Sequence, residues 1–202
     1  MKKNKLFKVI LFSVIGAIFF SYGEMDPLQL QIETSYLSGS LEAASTTDFD
    51  VDSSGFLIGL NYGPKYGSYV ELFTVYTTGD EGSLEAPVNL TLPGDFTTTG
   101  LYGGVGYRYP LTDKIDYKIS AGLGFNNLEA KGLNLGLSPT VDDSATALVM
   151  YWQTSLSYQI NDKYSVLLAY QYLGENDETT WVSGETIDYS LSNIAFGVQR
   201  TL

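Results

Sequence analysis

Residues 105–125, VGYRYPLTDKIDYKISAGLGF, alternate large apolar with small or polar side chains on both sides of a short turn. Strict alternation is the period of a strand with one greasy face, and Pro-Leu-Thr-Asp-Lys supplies turn geometry. Val105, Tyr107 and Tyr109 share one face, with Gly104, Gly106 and Arg108 on the other. Ile115, Tyr117, Ile119, Ala121, Leu123 and Phe125 oppose Asp116, Lys118, Ser120, Gly122 and Gly124. A chain written this way folds as a sheet that must hide one face and both edges. What the greasy face touches, a core or a bilayer, decides what kind of protein it is.

The pattern predicts eight strands, over about 27–37, 53–63, 68–78, 96–109, 115–126, 145–160, 164–174 and 187–202. Helix-period patterns are nearly absent. Three connections are tight: GPKYG after Tyr62, PLTDK after Tyr109 and NDK after Ile160. Four are long, over 38–52, 79–95, 127–144 and 175–186. Tight and long connections alternate along the chain, as in an up-and-down meander with all its turns at one end. Of the 23 acidic residues, 16 fall in or beside the long connections, whereas Lys65, Arg108, Lys114, Lys118, Lys163 and Arg200 gather near the tight turns.

The polar face is Gly, Ala, Ser and Gln with sparse charges of both signs. That composition suits the narrow interior of eight closed strands better than a water-facing surface. The large face carries Tyr and Trp, as an aromatic interface girdle does. This reading turns the greasy face to lipid, and backbone hydrogen bonding then demands a closed barrel. A soluble lipocalin-like binder, with the greasy face inward, is the alternative.

The N-terminus fits export. Lys2, Lys3, Lys5 and Lys8 precede an apolar run from Val9 to Phe20, and Ser21 and Gly23 fit a small-x-small cleavage site. A signal peptide over 1–23 and a barrel domain over 24–202 are the expected division. After residue 23 the chain carries 7 basic against 23 acidic residues, which argues against a nucleic-acid partner. It has no cysteine to staple a fold.

LYGGVGYRYPLTDKIDYKISAGLGF and the terminal strand SNIAFGVQRTL make the chain resemble the small outer-membrane β-barrels, of the OmpA transmembrane-domain and OmpX type. The resemblance spans about 27–202. It implies an eight-stranded antiparallel transmembrane barrel in a bacterial outer membrane, with short periplasmic turns and long extracellular loops. It also implies the lipid and the barrel-insertion machinery as partners, the last strand acting as the insertion signal. That family usually ends in an aromatic residue; this chain ends in Leu202, with Arg200 two before it.

On the strand parity, Glu33, Glu71, Arg108, Asp116, Lys118, Gln153 and Gln171 point inward; in a low-dielectric lumen their charges are expected to pair as a salt-bridged plug. A gate opening a narrow conduit by exchanging partners is the alternative. If Glu71 points inward, Phe73 and Val75 follow it. Tyr107, Tyr109, Tyr117, Trp152, Tyr158, Tyr164, Tyr170 and Tyr172 are the expected lipid-facing girdle. The enzymes known on such barrels use a histidine and this chain has none, so no catalytic residue and no cofactor are expected. Asp48, Asp50 and Asp52 alternate, and three carboxylates on one side of an extended chain can attract calcium. The EF-hand pattern fails there, with Ser53 and Gly59 at its sixth and twelfth positions, and a solvated loop is the stronger reading. GLYGGVG at 100–106 leads no helix, so its glycines read as thin inward positions and not as a phosphate loop.

These readings lead to an outer-membrane barrel with a structural or surface-interaction role and acidic loops open to an extracellular ligand. A narrow channel is the alternative within the same fold.

Overall fold

The computed structural model describes the backbone of residues 28–44, 48–84, 90–133, 141–174, 179–180 and 186–202, and side chains within 28–40, 51–79, 94–131, 144–174 and 190–202. The strands are β1 (Leu28–Ala44), β2 (Asp48–Pro64), β3 (Gly67–Leu84), β4 (Leu90–Pro110), β5 (Ile115–Leu133), β6 (Val141–Gln159), β7 (Tyr164–Gly174), the two-residue β8 (Thr179–Thr180) and β9 (Thr186–Thr201). All but β8 form one antiparallel barrel. It closes where β9 pairs with β1 from Gln31↔Thr201 to Ala44↔Asp188. A final bond from the Leu202 N–H to the Leu30 carbonyl, 2.9 Å, fastens the seam. No helix among the described residues is long and apolar enough to cross a membrane; the crossing is made by strands.

The cross-strand row Gln31–Asn61–Glu71–Gly104–Gly122–Tyr151–Leu173–Leu191 returns to β1 at Leu41, ten residues above its start. That stagger tilts the strands by about 40° and leaves an interior only side chains can fill. The tight turns are made by their own polar residues. Asn161 Oδ1 accepts the Lys163 and Tyr164 N–H groups at 2.9 and 3.0 Å, and Thr112 Oγ1 accepts the Ile115 N–H at 3.0 Å. Gly67, at φ 99°, opens β3 in a conformation that favours glycine.

Strand lengths correct the sequence reading. A membrane crossing takes about 9–11 tilted residues. β7 has 11, but β4 has 21 and β5 and β6 have 19 each. Much of 38–52, 79–95 and 127–144, expected as loops, is paired strand. The reason is an inversion of polarity along the strands. On β5 the apolar residues up to Phe125 face outward. Two residues later the order reverses: Leu128 and Ala130 are buried inside while Glu129 and Lys131 face out. On β6, Ala145, Ala147 and Val149 are buried and Thr146 is exposed, whereas below them Leu148, Met150 and Trp152 are the exposed residues. The outward apolar run on β5, from Ile115 to Phe125, measures about 25 Å along the barrel axis at ~3.3 Å per residue and that tilt, the height of a lipid-facing band. Above it the barrel stands in water and is built more like a soluble one, polar outside and largely apolar within, with Thr77, Thr98 and Asn126 among the buried inward residues.

Candidate functional site

The lumen has two layers. Its lower half, toward the tight turns, is largely polar, with Leu167 and Ala169 as apolar neighbours. Arg108 and Lys118 sit directly opposite each other on β4 and β5, both buried. Arg108 donates to the Lys65 carbonyl at 3.0 Å and to Gln31 Oε1, and its guanidinium lies over the Tyr69 ring, 5.3 Å from the centroid. Lys118 donates to Gln199 Oε1. Glu33 accepts from Ser35 Oγ at 3.4 Å and Asn61 Nδ2 at 3.5 Å. Glu71 accepts the Tyr151 hydroxyl at 2.6 Å. Higher up, Gln171 donates to Gln153 at 3.0 Å and accepts from Asn193 at 3.4 Å. Asp116 is half-buried at the lower mouth, beside Pro110 and Ser157.

All seven residues of the expected interior set lie on inward positions, but the salt-bridged plug is not what they form. Among the described residues the one contact ion pair is Lys131–Glu129, 2.9 Å, on the outer surface above the membrane. There the hydrogen bond from Lys131 holds the Glu129 carboxyl below its usual pKa. Register explains the missing internal pairs. Glu71 lies opposite Gly104, while Arg108 lies opposite Gly67, four residues lower. The buried charges meet amides, hydroxyls and a carbonyl, and balance one another across the chamber instead of in contact.

Above this chamber aromatic rings pack against one another across the lumen. Phe73, on β3, stacks on Tyr102 of β4 at 5.0 Å, and meets Tyr151 of β6 edge-on at 4.8 Å. Tyr102 and Tyr151 touch at 5.9 Å. Leu37, Leu57, Val75, Leu128, Leu173 and Leu191 continue the apolar filling, all 2 % exposed or less. The rings fit because the facing backbone is bare. A Cβ on Gly122 would fall 2.6 Å from Tyr151 Cε1, and one on Gly124 would overlap the Tyr102 ring. The sequence reading found the thin positions and the inward Phe73, but not the cluster that Phe73 forms with Tyr102 and Tyr151; two tyrosines and a phenylalanine at glycine-facing inward positions are the signal.

The girdle residues all lie on outward positions. Tyr107, Tyr109, Trp152, Tyr158, Tyr164 and Tyr170 are exposed, Tyr117 and Tyr172 intermediate. They belong to two levels. Tyr107, Tyr109, Tyr117, Tyr158 and Tyr164 ring the tight-turn end. Trp152 pairs with Tyr172 and packs on Tyr170 at 5.2 Å, well up the wall. The side chains of Asp48 and Asp50 lie outside the described residues; Asp52 is exposed on the outer face. Among the described residues no three acidic side chains come together as a metal site.

Solved structures share this architecture. Neisserial surface protein A superposes with a TM-score of 0.60 at 13% identity, over 87% of this chain and 99% of that one. OprG from Pseudomonas aeruginosa gives 0.63 at 10% identity, over 89% and 98%, and Ail of Yersinia pestis 0.57 at 15%, over 88% and 100%. No curated protein matches the sequence significantly. At such identities the structural likeness carries the fold alone. The sequence itself matches the model of the outer membrane protein beta-barrel domain over residues 12–200. The chain therefore belongs to the outer membrane protein beta-barrel family and resides, lipid-bound, in the bacterial outer membrane.

Proposed function

We propose that this barrel is closed and non-conducting, has no enzymatic activity, and works at the cell surface through the part that rises above the membrane. The observation that carries this reading is the Phe73–Tyr102–Tyr151 cluster across the lumen, with apolar side chains stacked above it. Packed rings leave no continuous path for water or ions. Glu33 and Glu71 lie buried beneath that seal, out of reach of a substrate arriving from outside, and the chain has no histidine to act as a general base. Residues 1–23 serve as the export signal, the terminal strand is read by the insertion machinery, and the acidic connections meet an extracellular ligand. The outward aromatic band speaks against the lipocalin-like alternative.

A narrow conduit is the second reading, favoured by the polar lower chamber with its two facing cations. Conductance in a planar bilayer separates the two. The closed reading expects no steps above baseline for the native chain, and steps on replacing Phe73, Tyr102 and Tyr151 together by Ala. Steady conductance of the native chain would overturn it.

A further inference from the structure

At the top of the lipid band, the outer wall of β1–β3 carries two stacked cross-strand rows. Tyr36, Phe56 and Tyr76 are direct partners and form the lower row. All three rings are exposed, and Phe56 and Tyr76 stack at 5.4 Å. Two residues higher on each strand, Ser38, Ser54 and Thr78 are again direct partners, with their hydroxyls on the same outer face. There the ladder between β2 and β3 breaks. Its register shifts between Val51 and Ser54, so Asp52 and Ser53 have no partner on β3. Gly79 makes the bulge possible, since a Cβ there would run into Val51 and the Asp52 carbonyl. The result is a notch of about 440 Å³ lined by Ser38, Asp52, Ser53, Ser54, Thr78 and Gly79.

The size is that of a small-molecule site, and the lining dictates the chemistry. Hydroxyls and one exposed carboxylate offer hydrogen bonds to a ligand rich in hydroxyls. With no lysine or arginine among its lining residues, the notch is not made for a phosphate. The aromatic row beneath presents flat apolar faces, on which the C–H face of a sugar ring stacks while its hydroxyls reach the row above. The aromatic row also marks the membrane's upper boundary, so the notch opens at headgroup height. We infer that this notch binds the sugar headgroup of a glycolipid in the outer leaflet, using Tyr36, Phe56 and Tyr76 as platform and Ser38, Ser54, Thr78 and Asp52 as hydrogen-bonding partners. The inference depends on the membrane placement and is independent of whether the lumen conducts.

The test uses the full barrel in phosphatidylcholine nanodiscs, alone, with digalactosyldiacylglycerol added, or with soluble lactose. The expected result is that the amide resonances of Ser38, Ser54 and Thr78 shift with the glycolipid, while that of Thr154 on the opposite wall does not. Asp52→Asn and Thr78→Val, both surface changes, then each weaken the glycolipid titration by about fivefold, the worth of one hydrogen bond. A gel shift on heating verifies that each variant is folded. Shifts spread evenly around the barrel, or titrations unchanged in both variants, overturn the site. Lactose acting as well as the glycolipid at equal sugar concentration overturns the lipid source and assigns the notch to free saccharides.

Discussion

The two halves of the barrel share strands, tilt and hydrogen-bond ladder, yet their side chains point the opposite way. In the membrane half, Leu72, Leu123 and Leu156 face out and Glu71, Lys118 and Ser155 face in. In the upper half, Leu128 and Val149 face in while Lys131 and Thr146 face out. The backbone is indifferent to this exchange, because its groups are paired by neighbouring strands in either solvent. The medium outside the wall sets the phase of the pattern, and the strand merely carries it across the boundary.

The comparison can be broken first at the ring cluster between the halves. Gly122→Val and Gly124→Val place a branched side chain where the Tyr151 and Tyr102 rings lie against bare backbone. Neither variant is expected to give the heat-modifiable folded band on a detergent gel. Next in size is Leu128→Ala, which empties an apolar position of the upper lumen. It is expected to lower stability by about 2–5 kcal/mol in urea titrations in lipid. Ser155→Ala, inward in the lower half, sets the contrast and should change little. Leu72→Arg puts a charge on the outer wall against lipid at a cost of about 2–4 kcal/mol. Thr146→Arg makes the same change on the outer wall above the membrane and stays within about 0.5 kcal/mol. Equal costs at the two positions would refute the inverted halves. A further loss, about 1–3 kcal/mol, is expected for Tyr151→Phe, which leaves the Glu71 carboxylate buried without its hydroxyl donor.

The membrane half was legible in the sequence because its rule is simple. From Ile115 to Phe125 every second residue is large or apolar, and the face opposite is small or polar. The upper half is written just as regularly, in Leu128-Glu129-Ala130-Lys131 and Ser144-Ala145-Thr146-Ala147. Read for one continuous greasy face, its reversed phase breaks the pattern and passes for a loop. The interior set was found by parity, which is fixed once any strand is placed. The partners of its charges were not, because they depend on the offset between strands. A sequence shows that Glu71 and Arg108 lie on neighbouring strands, and only the register shows that they sit four residues apart. The hydroxyl row of Ser38, Ser54 and Thr78 escaped notice for the same reason: its members are far apart in the chain and meet only across the ladder.

The inversion has a mechanical meaning. A barrel sliding inward by one pair of residues would carry Ser38, Ser54 and Thr78 into hydrocarbon. A barrel sliding outward would strip lipid from Tyr36, Phe56 and Tyr76. Both displacements are opposed on several strands at once, so the molecule has a steep preference for one depth. Lipid is the softer party, deforming at fractions of a kcal/mol per Å of mismatch. In a bilayer thicker or thinner than its own band, this barrel is expected to stay in register with itself and pull the surrounding leaflets to its height.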